Sequence, residues 1–294
     1  LLKEKGIDIF VINRSDEYLN EYISPNAERL NFITNFSGSA GRAIITPTDA
    51  FLYVDGRYTF QANTQINAKE IQPKHLNSFW TDLEKILLEE EYKIALDPTL
   101  HSIIEIEKVE KMLENSTSQL QLIDKNFVDL IWENQPKTQY TDIFDHPTSF
   151  AGQARSEKLD ILKKFLDQNE IDHYFVSGLD NIAWLLNLRA DDIKYTPLLY
   201  SYLLISKNNK HSLYIKESSM PEILKKEIQT LININNIENI GSIFNNINSS
   251  ESIGLDFNST TFYFLDLLRK QKINTKNLAN PCLSLIHISE PTRL

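Results

Sequence analysis

Compact apolar runs recur along the chain and predict buried strands. Residues 7–12 (IDIFVI) and 92–97 (YKIALD) are rich in branched apolar side chains and have the length of single strands. Residues 41–46 and 50–54 form two further runs, separated by Pro47-Thr48-Asp49. Because this tripeptide has the composition of a tight turn, the two runs predict an antiparallel hairpin.

Apolar positions with helical spacing alternate with these strands. Residues 58–67 follow the hairpin and read as a helix. Further along, Leu83, Ile86 and Leu87 recur at the spacing of three to four residues that places side chains on one face of a helix. The first part of the chain therefore predicts a mixture of strand pairing and helices.

The same order of elements returns in the second part. An amphipathic helix around 159–166 leads into a strand at 171–176, and 200–205 and 212–215 form another hairpin. Matching residues lie about 160 positions apart: Ile7-Asp8 with Ile171-Asp172, Asp16 with Asp180, and Ile94-Ala95-Leu96-Asp97 with Ile253-Gly254-Leu255-Asp256. The predicted fold class is α/β, with two tandem domains that are each a mixed sheet flanked by helices.

A stretch of different character separates the two copies. Residues 132–155 contain two prolines and few periodic apolar positions, which is typical of a linker. We therefore predict a first domain over 1–131 and a second over 156–282. The 294 residues, of which 41% are hydrophobic, suffice for two such cores.

Charge and cysteine content narrow the function class. A net charge of -10 disfavours a nucleic-acid surface, because binding a phosphate backbone needs clustered Lys and Arg. No apolar run reaches the ~20 residues that span a bilayer, and the first residues show no signal peptide. The single cysteine, Cys282, has no internal disulfide partner. These features favour a cytoplasmic protein without a membrane or nucleic-acid partner.

Several stretches resemble the three-domain Xaa-Pro aminopeptidases (aminopeptidase P) of the creatinase/prolidase superfamily. The resemblance to their first domain lies in residues 15–23, 35–41 and 54–58 with Gln61-Ala62. Trp132-Glu133, Gln135-Pro136, His146-Pro147 and Ala151-Gly152 are similar to the family's interdomain segment, and residues 180–189 with Thr196-Pro197 to its second domain. The resemblance covers residues 1–282.

The resemblance implies two creatinase N-terminal-like domains and a third, catalytic domain with a "pita-bread" fold. That domain would hold two divalent metals, commonly manganese, which activate the water that attacks a bond preceding proline. The residues that follow 282 do not resemble it, so we expect the catalytic domain to be absent and this chain to be inactive alone. Residues 283–294 depart from the family and read as a non-native tail.

The implied role of this part is to shape the substrate entrance and to support a homodimer. Its expected partners are a proline-containing peptide and its own catalytic domain. A non-catalytic creatinase-like binding or regulatory module is the alternative. Creatine amidinohydrolysis and dipeptide-only prolidase action are further possibilities within the fold, but the duplicated domain favours the three-domain aminopeptidase.

Arg57 is the candidate substrate-binding residue. The resemblance implies that the Arg of the Asp55-Gly56-Arg57-Tyr58 motif reaches toward the peptide, where a guanidinium can hydrogen-bond a carbonyl or carboxylate with two parallel donors. The alternative is a purely structural turn in which Arg57 pairs with Asp55 or with a helix end. No metal ligands or catalytic residues are expected here, because the histidines lack metal-binding spacing.

Three other features are interpreted mainly as structural. The segment 37–41 (SGSAG) matches neither a nucleophile elbow nor a phosphate loop, so we predict a tight turn, with Phe36 beside it in the core. Trp184 is predicted to be a core residue of a helix over 182–188. Arg189, just past that helix, either caps its carbonyls or points toward the catalytic domain.

Overall fold

The computed structural model describes residues 1–283, and the predicted non-native tail lies outside them apart from Leu283. The chain divides after Thr138 into two compact units, called unit 1 and unit 2 here. The division falls inside the stretch 132–155. No helix among the described residues combines the length and the apolarity needed to cross a membrane.

Unit 1 contains six strands and five helices. The strands are β1 (Ile9–Asn13), β2 (Gly41–Ile45), β3 (Ala50–Val54), β4 (Ile71–His75), β5 (Lys93–Leu96) and β6 (Gln119–Leu122). The helices are α1 (Leu2–Lys5), α2 (Arg29–Thr34), α3 (Thr59–Gln65), α4 (Phe79–Glu89) and α5 (Ile103–Leu113).

The sheet of unit 1 has the order β4-β3-β2-β1-β5-β6. Strand β2 is antiparallel to β3, as the turn at Pro47-Thr48-Asp49 predicts. It is also antiparallel to β1, and the remaining neighbours are parallel. Five strands therefore run in one direction, and their carboxyl ends lie along one edge of the sheet. In open α/β sheets this edge is the usual place for a ligand.

Unit 2 repeats this architecture after a short additional segment. Its strands are β7 (Phe144–Asp145), β8 (His173–Val176), β9 (Leu188–Arg189), β10 (Tyr202–Ser206), β11 (His211–Ile215), β12 (Ile232–Asn236), β13 (Ser252–Leu255) and β14 (Asn274–Asn277). Its helices are α6 (Thr148–Ala151), α7 (Arg155–Gln168), α8 (Leu179–Leu186), α9 (Glu222–Ile228) and α10 (Phe262–Lys270).

The two large sheets have the same topology. The order in unit 2 is β12-β11-β10-β8-β13-β14, with β10 as the one strand that runs against the others. This order matches that of unit 1 strand by strand, which confirms the predicted fold class and duplication. Each sheet carries two more strands than the sequence pattern indicated, and these are the edge strands β4, β6, β12 and β14.

Residues 139–155 take part in the fold of unit 2. Ile143 is 2% exposed and belongs to the apolar core of that unit. Strand β7 pairs with β9, and the short helix α6 follows it. This part of the stretch 132–155 thus contributes one strand of a two-stranded sheet to unit 2.

Each unit has its own apolar core. In unit 1, the core includes Phe10, Leu30, Phe36 and Leu52, which are at most 3% exposed. In unit 2, α7 contributes Leu159, Leu162 and Leu166 to a separate cluster. Burial of such side chains is the main force that holds a sheet and its helices together.

Candidate functional site

The Asp55–Arg57 turn lies at the carboxyl edge of the sheet of unit 1. Strand β3 ends at Val54, and residues Gly56–Tyr58 form a single 3-10 turn before α3 begins. Strand β4, which is parallel to β3, ends at His75. The topology therefore brings His75 next to this turn.

Arg57 is anchored through one side of its side chain. Its backbone nitrogen and its Nε both donate to Asp55 Oδ1, each at 2.9 Å. This pairing lowers the pKa of Asp55 and raises that of Arg57. The guanidinium carbon also lies 5.6 Å from the centre of the Tyr58 ring, in cation–π geometry. The turn thus contains the Arg57–Asp55 pair that was the alternative prediction for Arg57.

The two terminal nitrogens of Arg57 remain available for a ligand. Within residues 1–283 no hydrogen bond is made by its Nη1 or Nη2, and 74% of the side chain is exposed. A guanidinium held at Nε presents its remaining donors in a fixed plane, which suits two parallel hydrogen bonds to a carboxylate or carbonyl. Anchorage by Asp55 and recognition of a ligand are therefore compatible.

His75 closes one side of the turn. The backbone N–H of Asn77 donates to His75 Nδ1 at 3.2 Å, so the proton of the neutral ring is on Nε2. A Cβ atom added at Gly56 would lie 3.2 Å from that Nε2. Glycine at position 56 therefore lets the histidine approach the backbone closely.

Tyr58 joins the turn to the loop before β2. Its hydroxyl lies 2.7 Å from Ser39 Oγ, and its ring meets Phe36 edge-on at 5.8 Å. Arg14, just after β1, donates from Nη1 to the carbonyl oxygen of Ser39 at 3.2 Å. The segments around 15, 37 and 57, which carry the family resemblance, therefore meet at one edge of the sheet.

The loop of residues 37–41 is a structural connection. Gln61 and Gln65, on α3, donate to Ser37 Oγ at 3.0 and 2.8 Å, and Ser37 N donates to Gln65 Oε1. Phe36 is fully buried, as predicted. A Cβ atom at Gly38 would come within 2.2 Å of the Phe36 ring, so the loop requires glycine there.

Buried charges support the loop that follows β1. Arg29 pairs with Asp129 at 2.8 Å and with Glu17 at 3.3 Å. Asp16 accepts hydrogen bonds from the backbone of Tyr18 and Asn20, yet burial raises its pKa above the usual value. These pairings hold the loop in shape, although Arg29 Nη1 is buried without a hydrogen-bond partner among the described residues.

The residues singled out in unit 2 have structural roles. Helix α8 ends at Leu186, two residues earlier than predicted, because Asn187 adopts a left-handed conformation with φ of 52°. Trp184 is partly buried against the core. Arg189 donates from Nη1 to the carbonyl oxygens of Ala183 and Leu188, at 2.6 and 2.9 Å. Of the two roles predicted for Arg189, the structure therefore shows the capping of helix carbonyls.

Lys158 was not predicted to be buried, yet its ammonium donates to the Trp184 carbonyl and to Asn187 Oδ1 inside unit 2. A lysine in the buried stripe of an amphipathic helix was the only signal that could have found it. Among residues 1–283, no three His, Cys, Asp or Glu side chains are placed to hold a metal ion. The described residues therefore do not fit a two-metal centre.

Comparison with solved structures identifies a similar fold. The X-prolyl aminopeptidase from Caenorhabditis elegans, described as a cytosolic enzyme with a di-nuclear active site, superposes with a TM-score of 0.85 at 23% identity. The match covers 93% of this chain and 46% of that one. At this identity the likeness concerns the fold.

Sequence comparison identifies relatives that are named Xaa-Pro aminopeptidase P. A Xaa-Pro aminopeptidase P from Paracoccidioides brasiliensis is 34% identical over 232 residues, which are 78% of this chain and 38% of the relative. Another from Ajellomyces dermatitidis is 32% identical over 248 residues, or 83% of this chain and 40% of the relative. The chain thus spans well under half the length of these relatives.

Family models match both units. The Creatinase/Prolidase N-terminal domain is matched over residues 1–125 by one model and over residues 134–288 by a second. The first match lies within unit 1, and the second begins at residue 134, a few residues before the division after Thr138, in agreement with the duplicated topology. This chain belongs to the creatinase/prolidase N-terminal domain family.

Proposed function

We propose that this chain is the N-terminal, non-metal-binding part of a metal-dependent Xaa-Pro aminopeptidase, a hydrolase that releases an N-terminal residue preceding proline. The observation that carries the proposal is the identity of 32–34% with proteins named Xaa-Pro aminopeptidase P. In the full-length enzyme this part shapes the substrate entrance and supports dimerisation. We place the enzyme in the cytoplasm.

We assign the metal chemistry to the remainder of the full-length protein. Two divalent ions, manganese in our proposal, would lower the pKa of a bound water and stabilise charge on the attacked carbonyl. In this proposal the described residues take no part in the metal chemistry, and we expect the 294-residue chain alone not to hydrolyse Xaa-Pro peptides. The contribution of this chain is to bind and orient the substrate.

We propose Arg57 as a residue that contacts the peptide. Its support is the anchored guanidinium, in which Asp55 holds Nε and the terminal nitrogens stay exposed. Anchorage lowers the entropy that is lost when the side chain binds a ligand. A peptide carbonyl or a free carboxylate would accept two parallel hydrogen bonds.

The test uses a full-length enzyme that carries this sequence. Arg57→Ala should reduce kcat/KM for an Xaa-Pro peptide by about tenfold to a hundredfold, because a charge-assisted hydrogen bond is worth about 1.5–3 kcal/mol. Arg57→Lys should recover only part of the loss, since lysine lacks the planar fork. Lys69→Ala, at an exposed site after α3, is the matched control and should have no effect.

The outcomes separate the two claims. Unchanged kinetics of Arg57→Ala would reject Arg57 as a peptide contact while leaving the enzyme assignment in place. A full-length wild-type protein that is loaded with manganese and still fails to cleave Xaa-Pro peptides would contradict the assignment and favour the binding module. Size-exclusion chromatography with light scattering of the same protein tests dimerisation, which a monomer would disprove.

A further inference from the structure

The duplicated fold provides an internal comparison for buried polar residues. Asp97 follows β5 and Asp256 follows β13, and each accepts a hydrogen bond at 2.9 Å from the backbone N–H two residues later. Each is followed by a helix, with Ser102 as the N-cap of α5 and Thr261 as the N-cap of α10. This correspondence places residues of unit 1 against their counterparts in unit 2.

Unit 1 carries a charged cluster where unit 2 carries aromatic rings. Glu105, three residues after the N-cap of α5, corresponds to Phe264 in α10. Arg42 lies opposite Asn13 in the register of β1 and β2. Their counterparts in unit 2 are Tyr202 and Ser177, one position beyond the pair of Leu203 and Val176. Arg42 forms an ion pair with Glu105. In unit 2, the rings of Tyr202 and Phe264 pack with centroids 5.0 Å apart.

This comparison shows that the fold does not require the charges. Replacing a buried ion pair by well-packed apolar residues is often neutral or stabilising, because the charges lose their hydration. Unit 2 has uncharged aromatic rings, those of Tyr202 and Phe264, at the same place in the same topology. The polar set of unit 1 therefore needs an explanation beyond packing.

Three buried atoms of this set have no protein partner. Among the described residues, Asn13 Oδ1, Arg42 Nη1 and His101 Nε2 are buried without a hydrogen bond. Asn13 and Arg42 are cross-strand neighbours, so their side chains lie on the same face of the sheet. His101 directly precedes Ser102, whose backbone N–H donates to Glu105, the partner of Arg42. The three residues therefore belong to one cluster.

The hydrogen-bonding character of these atoms defines the ligand. His101 Nδ1 lies 2.8 Å from the Asp97 carbonyl oxygen, so it carries the ring proton and leaves a lone pair on Nε2. Burial lowers the pKa of His101, which keeps the ring neutral, despite the opposing influence of Glu105. The cluster thus offers one donor, from Arg42, and two acceptors, from Asn13 and His101.

We propose that unit 1 contains a buried water-binding site formed by Asn13, Arg42 and His101. A water molecule supplies two donors for the two acceptors and accepts the bond from Arg42, as buried waters in proteins do with about three partners. An anion would face two lone pairs and the Glu105 carboxylate. A metal cation would be repelled by Arg42. The corresponding place in unit 2 is filled by rings and binds no such water.

A crystal structure of the 294-residue chain at a resolution that places ordered waters is the direct test. We expect a density peak within hydrogen-bonding distance of Asn13 Oδ1, Arg42 Nη1 and His101 Nε2, and none between Tyr202 and Phe264. Absence of the peak would overturn the proposal. An anomalous signal at the peak after a bromide soak would also overturn it, because the site would then bind an anion.

A solution experiment tests the same site. The graft variant N13S/R42Y/H101T/E105F gives unit 1 the residues of unit 2, and water-oxygen relaxation dispersion counts long-lived buried waters. The graft should contain one fewer than the wild type, whereas Glu110→Gln, at an exposed site on α5, should contain the same number. An equal count in a folded graft contradicts the proposal. If the graft does not fold, the wild-type density map decides.

Discussion

Lys158 is buried inside unit 2, with 1% of its surface exposed. Its ammonium donates to the Trp184 carbonyl and to Asn187 Oδ1, both at 2.7 Å, and lies 4.3 Å from the centre of the Trp184 ring. These contacts hold the end of α8 and the left-handed Asn187. Burial, and then the positive charges of Arg189 and Arg155, lower the pKa of Lys158 from 10.5 to about 8.

This shift predicts a pH dependence of stability. Between pH 8 and 10.5 the unfolded chain binds more protons at Lys158 than the folded chain does, so the free energy of unfolding should rise with pH across that window. The contribution is at most about 1.4 kcal/mol per pH unit. Urea unfolding of the wild type and of Lys158→Met measures it.

The variant should lose this rise, because methionine does not titrate. Lys164→Met, on the exposed side of the same helix, is the matched control and should keep the rise. Identical slopes for wild type and Lys158→Met would show that the folded chain does not lower the pKa of Lys158.

Gly38 gives a second prediction at the scale of a single residue. Gly38→Ala would place a Cβ atom 2.2 Å from the ring of Phe36, which is fully buried. We expect a loss of about 1–3 kcal/mol in the free energy of unfolding, as for other overpacked cores.

Gly56→Ala is the comparison for this variant. Its nearest contact is 3.2 Å from the exposed side chain of His75, which can move aside. Thermal unfolding of the two variants should therefore show a clearly larger decrease in Tm for Gly38→Ala. Equal decreases would contradict the steric argument.

At the scale of elements, helix α5 begins with a capping box. Ser102 Oγ accepts from the Glu105 backbone N–H at 3.3 Å, and Glu105 Oε2 accepts from the Ser102 backbone N–H at 3.2 Å. The corresponding Thr261 caps α10 without a side-chain hydrogen bond. The two units thus begin equivalent helices in different ways.

This difference can be measured by paired substitutions. Ser102→Ala should lower the free energy of unfolding by about 1 kcal/mol, because an N-cap bond is lost. Thr261→Val keeps the shape of the side chain and removes only the hydroxyl, so its effect should stay within about 0.5 kcal/mol. A larger cost for Thr261→Val in urea unfolding would contradict the assignment of the caps.

The elements that sequence could predict are those with a strong apolar pattern. Strands β1, β3 and β5 are central or adjoin central strands, and their buried residues are almost all apolar. The edge strands escaped prediction. Strand β4 contains Pro73, and β14 consists of polar residues, because an edge strand pairs on one side only and half of its surface is solvated.

The candidate site was predictable only in part. Arg57 and its turn stood out through the family resemblance, and the possible pairing with Asp55 through their proximity in the sequence. The approach of His75 depends on the parallel pairing of β3 with β4, which joins residues about 20 positions apart. The cluster of Asn13, Arg42 and His101 likewise comes from three segments that are far apart in the sequence. No local sequence pattern could therefore predict it.

At the scale of the whole chain, both the sequence and the strand order are duplicated. The chain accordingly divides after Thr138 into two compact units. Lys137 is exposed and lies in a stretch without helix or strand, between the last buried residues of unit 1 and strand β7. Such segments are the preferred sites of proteolytic cleavage.

Limited digestion with trypsin should therefore cut first after Lys137. We expect two fragments that resist further cleavage, because each retains its own six-stranded sheet and core. Mass spectrometry of the early products identifies the bond. Lys137→Gln should delay the first cut, whereas Lys111→Gln, within helix α5, should not. An initial cut inside a sheet, or rapid loss of either fragment, would mean that the two units do not fold as separate bodies.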